Sequence, residues 1–225
     1  MSRSTLRPES LPGGRLARAA KAVEAAPAAK TAKKPATPAL HKSAGEIRII
    51  GGQWKRTRLP VAQRPNLRPT PDRVRETLFN WLGQDLAGWR CLDAFAGTGA
   101  LGFEAASRGA TAVQLVENDA ALVAQLHTLQ QRLSATAVRV QRGDGIAALK
   151  QAAPGSIDLA LIDPPFGSDL FEPAVQAAAK AVAADGFIYL EAPRVWTDEE
   201  LAAWGLVVHR HLKAGAVHAH LLKRA

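Results

Sequence analysis

The sequence predicts an α/β fold, a doubly wound and mostly parallel seven-stranded sheet, and three observations predict it. From residue 90 onward, short aliphatic runs alternate with segments of helical periodicity. The first of these runs ends in a glycine-rich turn that opens a helix, as in a βαβ unit. The last two runs follow one another around a glycine with no helix between them, which adds an antiparallel pair to a parallel sheet.

Taken in order, residues 1–45 are rich in Ala, Pro and Lys and have no periodic apolar face. They are predicted to be a disordered basic tail, serving either to solubilise the chain or to tether it electrostatically to nucleic acid. Residues 46–82 form an N-terminal arm. EIRIIGGQWKRTRL (46–59) reads as a hairpin turning at Gly51-Gly52, with Ile47 and Ile49 on one face. Thr70-Pro71-Asp72 reads as a helix start: Thr70 the N-cap, Pro71 the first helical residue, Asp72 an acid at the positive end of the dipole. Val74, Leu78 and Leu82, with Phe79, make the buried stripe of that helix. Residues 83–225 then form one domain. Its strands are RCLDAF (90–95), AVQLVE (112–117), VRVQR (138–142), IDLALID (157–163), FIYLE (187–191), LVVHRHL (206–212) and AVHAHLL (216–222). Helices follow the glycine-rich turn and occupy roughly 119–133, 171–184 and 197–204, with a short one after Gly143-Asp144-Gly145.

The chain has 225 residues, with 29 Lys and Arg against 20 Asp and Glu, unevenly placed. Residues 1–46 hold nine bases against three acids, residues 47–75 eight bases against Asp72 alone, and residues 76–225 twelve bases against sixteen acids. A cationic first third ahead of a mildly acidic globule points to a polyanionic partner, nucleic acid before membrane. The single cysteine, Cys91, excludes a disulfide scaffold and a cysteine-rich zinc module. No apolar run is long enough to span a bilayer, and the start lacks the apolar core of a secretory signal. Acids and prolines in that stretch argue against a transit peptide, so the expectation is a soluble cytoplasmic monomer.

Gly97-Thr98-Gly99-Ala100-Leu101-Gly102 lets the backbone turn tightly and brings a ligand close to bare N–H groups at a positive helix end. Glu117 ends the next strand, where an acid can take the two ribose hydroxyls of an adenosine. Alone, this pattern fits a nicotinamide dehydrogenase and an S-adenosylmethionine enzyme equally. Asp93, in the strand just before the turn, shifts the balance. A carboxylate there repels a pyrophosphate and attracts the ammonium of a methionine moiety. Asp144, after the third strand, can accept from an adenine amino group or cap the following helix.

Asp163-Pro164-Pro165-Phe166 ends the fourth strand. Where a doubly wound sheet reverses its order beside the first strand, the ends of strands one and four flank one crevice. Prolines donate no backbone hydrogen bond, so this turn is a cradle of acceptors with an aromatic ring beside it. It suits a flat heterocycle bearing an amino group: Phe166 stacks on the ring, while Asp163 and the Pro164 carbonyl take the N–H bonds. Such acceptors aim the nitrogen lone pair at an electrophilic methyl, and Asp163 takes the surplus proton.

These motifs resemble the RsmD family of bacterial 16S rRNA guanine-N2 methyltransferases, within the class I S-adenosylmethionine fold. The resemblance covers roughly 46–195 and includes Ile47-Arg48-Ile49-Ile50-Gly51-Gly52, Leu67-Arg68-Pro69-Thr70 through Val74-Arg75-Glu76, Asp93-Ala94-Phe95 with the glycine turn, and Asp163 to Phe166. The last motif is shared by many amino-methyltransferases; the Arg-Pro-Thr-x-x-x-Val-Arg-Glu segment is the more specific signal. The resemblance implies S-adenosylmethionine held by Asp93, Phe95, Gly97, Gly99, Glu117 and Asp144, and catalysis by Asp163, Pro164, Pro165 and Phe166. It further implies 16S rRNA as partner, within an assembled or assembling small subunit. Two features depart from the pattern: Ala94 stands where a larger aliphatic is expected, and the basic tail is additional.

Arg48, Lys55, Arg56, Arg58, Arg68, Arg73 and Arg75 are dense enough in the arm to be assigned to RNA phosphate. Arg68 and Arg73 have the alternative of anchoring the arm to the domain. Trp54 stacks on a base or caps the core. A two-residue turn at Ala214-Gly215 would set His211 opposite His218 and His209 opposite His220, all on one face; no metal is assigned to them. Cys91 is read as core packing. The rival functions are methylation of an adenine or cytosine amino group in DNA or another RNA, a nicotinamide-dependent oxidoreductase, and a non-catalytic RNA-binding module.

Overall fold

The computed structural model describes residues 46–60 and 70–225, so the expectations for the tail 1–45 and for Arg68 lie outside the described residues. The arm contributes β1 (Ile47–Arg48), β2 (Arg58–Leu59) and α1 (Asp72–Trp81). Then follow β3 (Arg90–Asp93), α2 (Ala100–Ser107), β4 (Ala112–Glu117), α3 (Ala120–Arg132), β5 (Val138–Arg142), α4 (Gly145–Gln151) and β6 (Ile157–Ile162). The chain closes with α5 (Phe171–Ala181), β7 (Val182–Ala192), α6 (Asp198–Ala202), β8 (Leu206–Ala214) and β9 (Val217–Arg224).

The seven-stranded sheet has the order β5-β4-β3-β6-β7-β9-β8. The strands from β5 to β7 are parallel, while β9 is antiparallel to both β7 and β8. Parallel strands need cover on both faces, and the near-continuous apolar runs of β4 and β6 reflect that. One face packs on Leu78, Phe79, Phe103, Leu126 and the arm's Ile47, Ile49 and Leu59. The other packs on Ile146, Leu149, Val175, Ala178 and Leu201. Cys91 is buried in the first of these layers, where burial pushes its thiol up to about 12. Among the described residues, no helix is long and apolar enough to cross a membrane.

Helix starts follow local chemistry. Asp119 accepts from the Ala121 and Leu122 N–H groups to start α3, and Thr197 with Glu200 forms a reciprocal capping box on α6. At α1 the expected cap is displaced by one residue. Pro71 is the N-cap, and no side chain caps the helix. Thr70 is buried and acts on Glu191 instead, lowering its carboxyl.

The arm hairpin is real but does not turn at Gly51-Gly52. Its strands pair Ile47 with Leu59 and Arg48 with Arg58, leaving a nine-residue connection, 49–57. The reversal comes later, where Arg56 N–H donates to Ile49 O at 2.8 Å. Gly51 and Gly52 are instead held against α2, and a Cβ on Gly52 would lie 1.8 Å from the Ser107 carbonyl oxygen.

The terminal hairpin departs by one residue as well. Ala214 pairs with Val217, so Gly215-Ala216 makes the turn and His211 lies opposite His220. An irregularity between Val208 and Arg210 turns His209 to the other face, where it packs on Phe187 at 5.8 Å. His211, His218 and His220 remain clustered, with His211 Nε2 and His218 Nδ1 3.0 Å apart. His220 is buried, and desolvation lowers it to about 4. Among the described residues, no group of three or more His, Cys, Asp or Glu side chains is arranged to hold a metal ion.

Candidate active site

β3 and β6 are adjacent and parallel, with Asp93 level with Leu161. The glycine-rich turn and the Asp163-Pro164-Pro165-Phe166 turn therefore leave neighbouring strands at the same edge of the sheet. Gly97 and Gly99 both have positive φ, +52° and +78°, a region only glycine enters freely. The Gly97 N–H donates to Glu117 Oε2 at 2.9 Å, and the Asp119 N–H to Glu117 Oε1 at 2.9 Å. Glu117 thus ties the end of β4 to the turn. A Cβ on Gly145 would lie 1.9 Å from Ala94 O, so α4 starts hard against the end of β3. Asp144 caps that helix through Ile146 and Ala147 N–H, and its side chain is exposed. Phe95 is half-buried beside the same turn.

Asp93 is 2% exposed and accepts from Gly102 N–H at 3.1 Å. Burial pushes its carboxyl up to about 7, against the lowering effect of that bond, with Glu117 and Glu191 adding to the rise. On the next strand, Asp163 is raised well above the carboxylate range by burial, then by Glu191 and Asp93. Strand alternation puts Asp93, Asp163 and Glu191 on the face that carries Cys91, Leu161 and Tyr189. The ends of β3, β6 and β7 thus present a row of three carboxyls. Beyond Asp163, Pro164 is buried, Pro165 exposed and Phe166 exposed at 45%, its ring 6.3 Å from that of Phe171. The Ser168 hydroxyl donates to Pro165 O at 2.7 Å and closes the turn.

Of the arm cations, Arg48, Lys55, Arg56, Arg58 and Arg73 are exposed, and Arg58 pairs with Glu46 at 2.9 Å. Arg75 contradicts its assignment to RNA. It is 0% exposed, and its guanidinium reaches Arg48 O at 2.8 Å, Thr70 O at 3.2 Å, Asp72 at 2.6 Å and Glu104 at 3.2 Å. Glu104, equally buried, also accepts from Ile50 N–H at 2.8 Å, Gly51 N–H at 2.7 Å and Arg108 Nε at 3.0 Å. Arg75 and Glu104 fasten the arm to α2. Two signals in the sequence mark this pair: Arg75 sits at helical spacing with Leu78, Phe79 and Leu82, and Glu104 is the lone acid in the apolar stretch ALGFEAAS. Trp54 is half-buried, edge-on to Phe103 at 6.5 Å, and caps the core. Thr70, Tyr189 and Glu191 are further residues of the site that spacing alone does not single out.

A sheet of this order, with a glycine-rich turn after its central strand and an acceptor-only turn on the strand beside it, defines a class I methyltransferase. Residues 47–223 match the protein family described as Conserved hypothetical protein 95. The chain is 40% identical over 190 residues to Ribosomal RNA small subunit methyltransferase D of Escherichia coli (strain K12), spanning 82% of this chain and 93% of that protein. The protein of the same name from Haemophilus influenzae is 38% identical over 179 residues, 74% of this chain and 93% of its own length. Among solved structures, the Escherichia coli yhhF protein superposes with a TM-score of 0.68 at 39% identity, over 80% of this chain and 98% of that one. HI0767 of Haemophilus influenzae gives a TM-score of 0.65 at 33% identity, over 80% and 99%. The chain belongs to the RsmD family of methyltransferases.

Proposed function

We propose that this chain transfers a methyl group from S-adenosylmethionine to the N2 amino group of a guanine in 16S rRNA of the small ribosomal subunit. The observation that carries this is the pairing of β3 with β6, which sets buried Asp93 and the glycine turn beside Asp163 to Phe166. The name of the 40% identical Escherichia coli protein supports ribosomal RNA as the substrate class.

The residues present fit the cofactor. Asp93 is a buried carboxyl raised to about 7 by burial, and the methionine ammonium is a cation that it can pair with. Gly97 and Gly99 supply the positive φ that the turn requires, Phe95 flanks it, and Glu117 and Asp144 offer acceptors to the ribose hydroxyls and the adenine amino group. When bound, S-adenosylmethionine supplies a sulfonium methyl whose carbon takes the N2 lone pair as its bond to sulfur breaks. Asp163 and the Pro164 carbonyl accept from the amino group, Pro165 shapes the turn, and exposed Phe166 offers its ring to the base. Asp163 takes the proton that N2 sheds.

The test is methyl transfer from labelled S-adenosylmethionine to unmodified small subunits and to protein-free 16S rRNA, with the product nucleoside identified. N2-methylguanosine is expected. N6-methyladenosine would replace the substrate, and absence of transfer to any nucleic acid would sink the proposal.

Two variants probe its halves. Asp93→Asn is expected to weaken cofactor binding by at least about tenfold. In the wild type, affinity should fall about tenfold per pH unit below about 7, as Asp93 takes up a proton. The free protein shows the opposite sign. An acid raised from 3.8 to about 7 on folding leaves stability intact below pH 4 and loses it as pH climbs to 7, by about 4 kcal/mol at most. Asp93→Asn should therefore raise the apo melting temperature at pH 8 and leave it little changed at pH 4; equal shifts at both would count against a charged Asp93. For the arm, Lys55→Ala with Arg73→Ala should make the log affinity for rRNA against log salt shallower by about 1.5. An unchanged slope would remove these two from phosphate contact.

A further inference from the structure

Glu191 is used by none of the steps above, yet it occupies the most constrained position in the site. Strand register pairs Ile162 with Leu190, so Asp163 and Glu191 leave neighbouring strands side by side. Adjacent strands lie about 4.8 Å apart. Glu191 is 3% exposed, and Tyr189 donates to its Oε1 at 2.8 Å from two residues back on β7. Thr70, which belongs to the arm and does not cap α1, acts on the same carboxyl and lowers it. A carboxyl supported in this way is held in one place, and that place is beside the group that accepts the proton.

We propose that Glu191 is a positioning residue for methyl transfer: fixed by Tyr189 beside the end of β6, it holds Asp163 as the proton acceptor for the target amino group. The assignment rests on the methyltransferase reading of Asp163 given above. An acid with a charged neighbour binds a proton more readily than one alone, and a base whose proton affinity approaches neutrality is the better proton acceptor. The groups facing Asp163 are Glu191 from β7 and Asp93 from β3, both raising it after burial itself. Glu191 is raised by burial, while Thr70, the Tyr189 bond and the Arg75 guanidinium act in the opposite sense. Tyr189, raised by burial and by Glu191, stays a neutral donor.

The test follows the Asp163 carboxyl by carbon-13 NMR or infrared titration of the apo protein, the signal being identified by its loss in Asp163→Asn. In Glu191→Gln, which keeps the shape and the Tyr189 bond, the midpoint should fall by about one to two pH units. Thr70→Val should raise the pH at which the Asp163–Glu191 pair loses its last proton by about half to one unit, and Thr70→Ser should restore it. In parallel, the acid limb of kcat for transfer to small subunits should move with the midpoint in Glu191→Gln, with the plateau about three- to tenfold lower. An Asp163 midpoint unmoved by Glu191→Gln overturns the proposal. So does a displaced midpoint with an unmoved kcat profile, because Glu191 would then serve structure alone. The titration needs no RNA, so a wild type inactive on every substrate would overturn the function above while the midpoint still decides the coupling of Glu191 to Asp163.

Discussion

Asp163→Ala is expected to lower methyl transfer by about 10³-fold or more while S-adenosylmethionine affinity stays within about threefold of wild type. The two parameters separate because the cofactor groups gather at β3 and β4, whereas Asp163 stands at the end of β6 with an acceptor-only turn beyond it. Loss of Asp163 removes a hydrogen-bond acceptor and a proton acceptor at once. Asp163→Asn distinguishes them: it keeps one acceptor oxygen, so a loss of at least about 10²-fold in that variant assigns the effect to the proton. Full activity of Asp163→Asn would take that role away, and loss of cofactor binding in Asp163→Ala would mean that the crevice is wrongly assigned. Stability should move the other way. Asp163 is raised on folding, so its burial costs stability that is lost as pH rises through its folded pKa. Asp163→Asn should thus melt higher than wild type at pH 8, and the difference should vanish in acid.

The sheet was legible because its chemistry is local. Runs such as IDLALI and AVQLV state a strand buried on both faces, and positive φ at Gly97 and Gly99 demands the residue the sequence supplies. Asp93 and Asp163 were legible for a related reason: each stands at a strand end, where topology brings ends together whatever the register. The fine register was not legible. A turn displaced by one residue, to Gly215-Ala216, re-pairs His211 with His220, and an irregularity at 208–210 sends His209 to the opposite face, since side chains alternate with period two. Thr70 shows a further limit. Its residue type and position state an N-cap, but no side chain caps α1, and buried Thr70 acts instead on Glu191 of the distant strand β7, lowering its carboxyl. Arg75 was misread for its charge, although its spacing with Leu78, Phe79 and Leu82 placed it on the buried stripe.

Arg75→Lys separates the two meanings of that residue. A contact to phosphate would tolerate the change, since lysine carries the same charge. In the structure the guanidinium is a buried fork, serving Thr70 O from Nε, Glu104 from Nη1, and Arg48 O and Asp72 from Nη2. An ammonium cannot span those four acceptors from one point. Arg75→Met should cost about 3–5 kcal/mol, because it leaves two backbone acceptors unpaired and removes one of the two guanidiniums, Arg75 and Arg108, on buried Glu104. For a chain of this size that is a fall in melting temperature of roughly 10 °C. Arg75→Lys should recover less than half of the loss. Paired with Glu104→Gln, the Met variant should be markedly non-additive, because the two side chains share one buried bond. The arm is the part released: β1 hangs from Arg75 through Arg48 O, and Gly51 hangs from Glu104. Proteolysis of Arg75→Met should therefore gain cuts within 46–60 that the wild type resists, and rRNA affinity should fall with the arm's seating rather than with the loss of one charge. A lysine variant as stable as wild type, or a loss in the Met variant below about 1 kcal/mol, would return Arg75 to the surface role its charge first suggests.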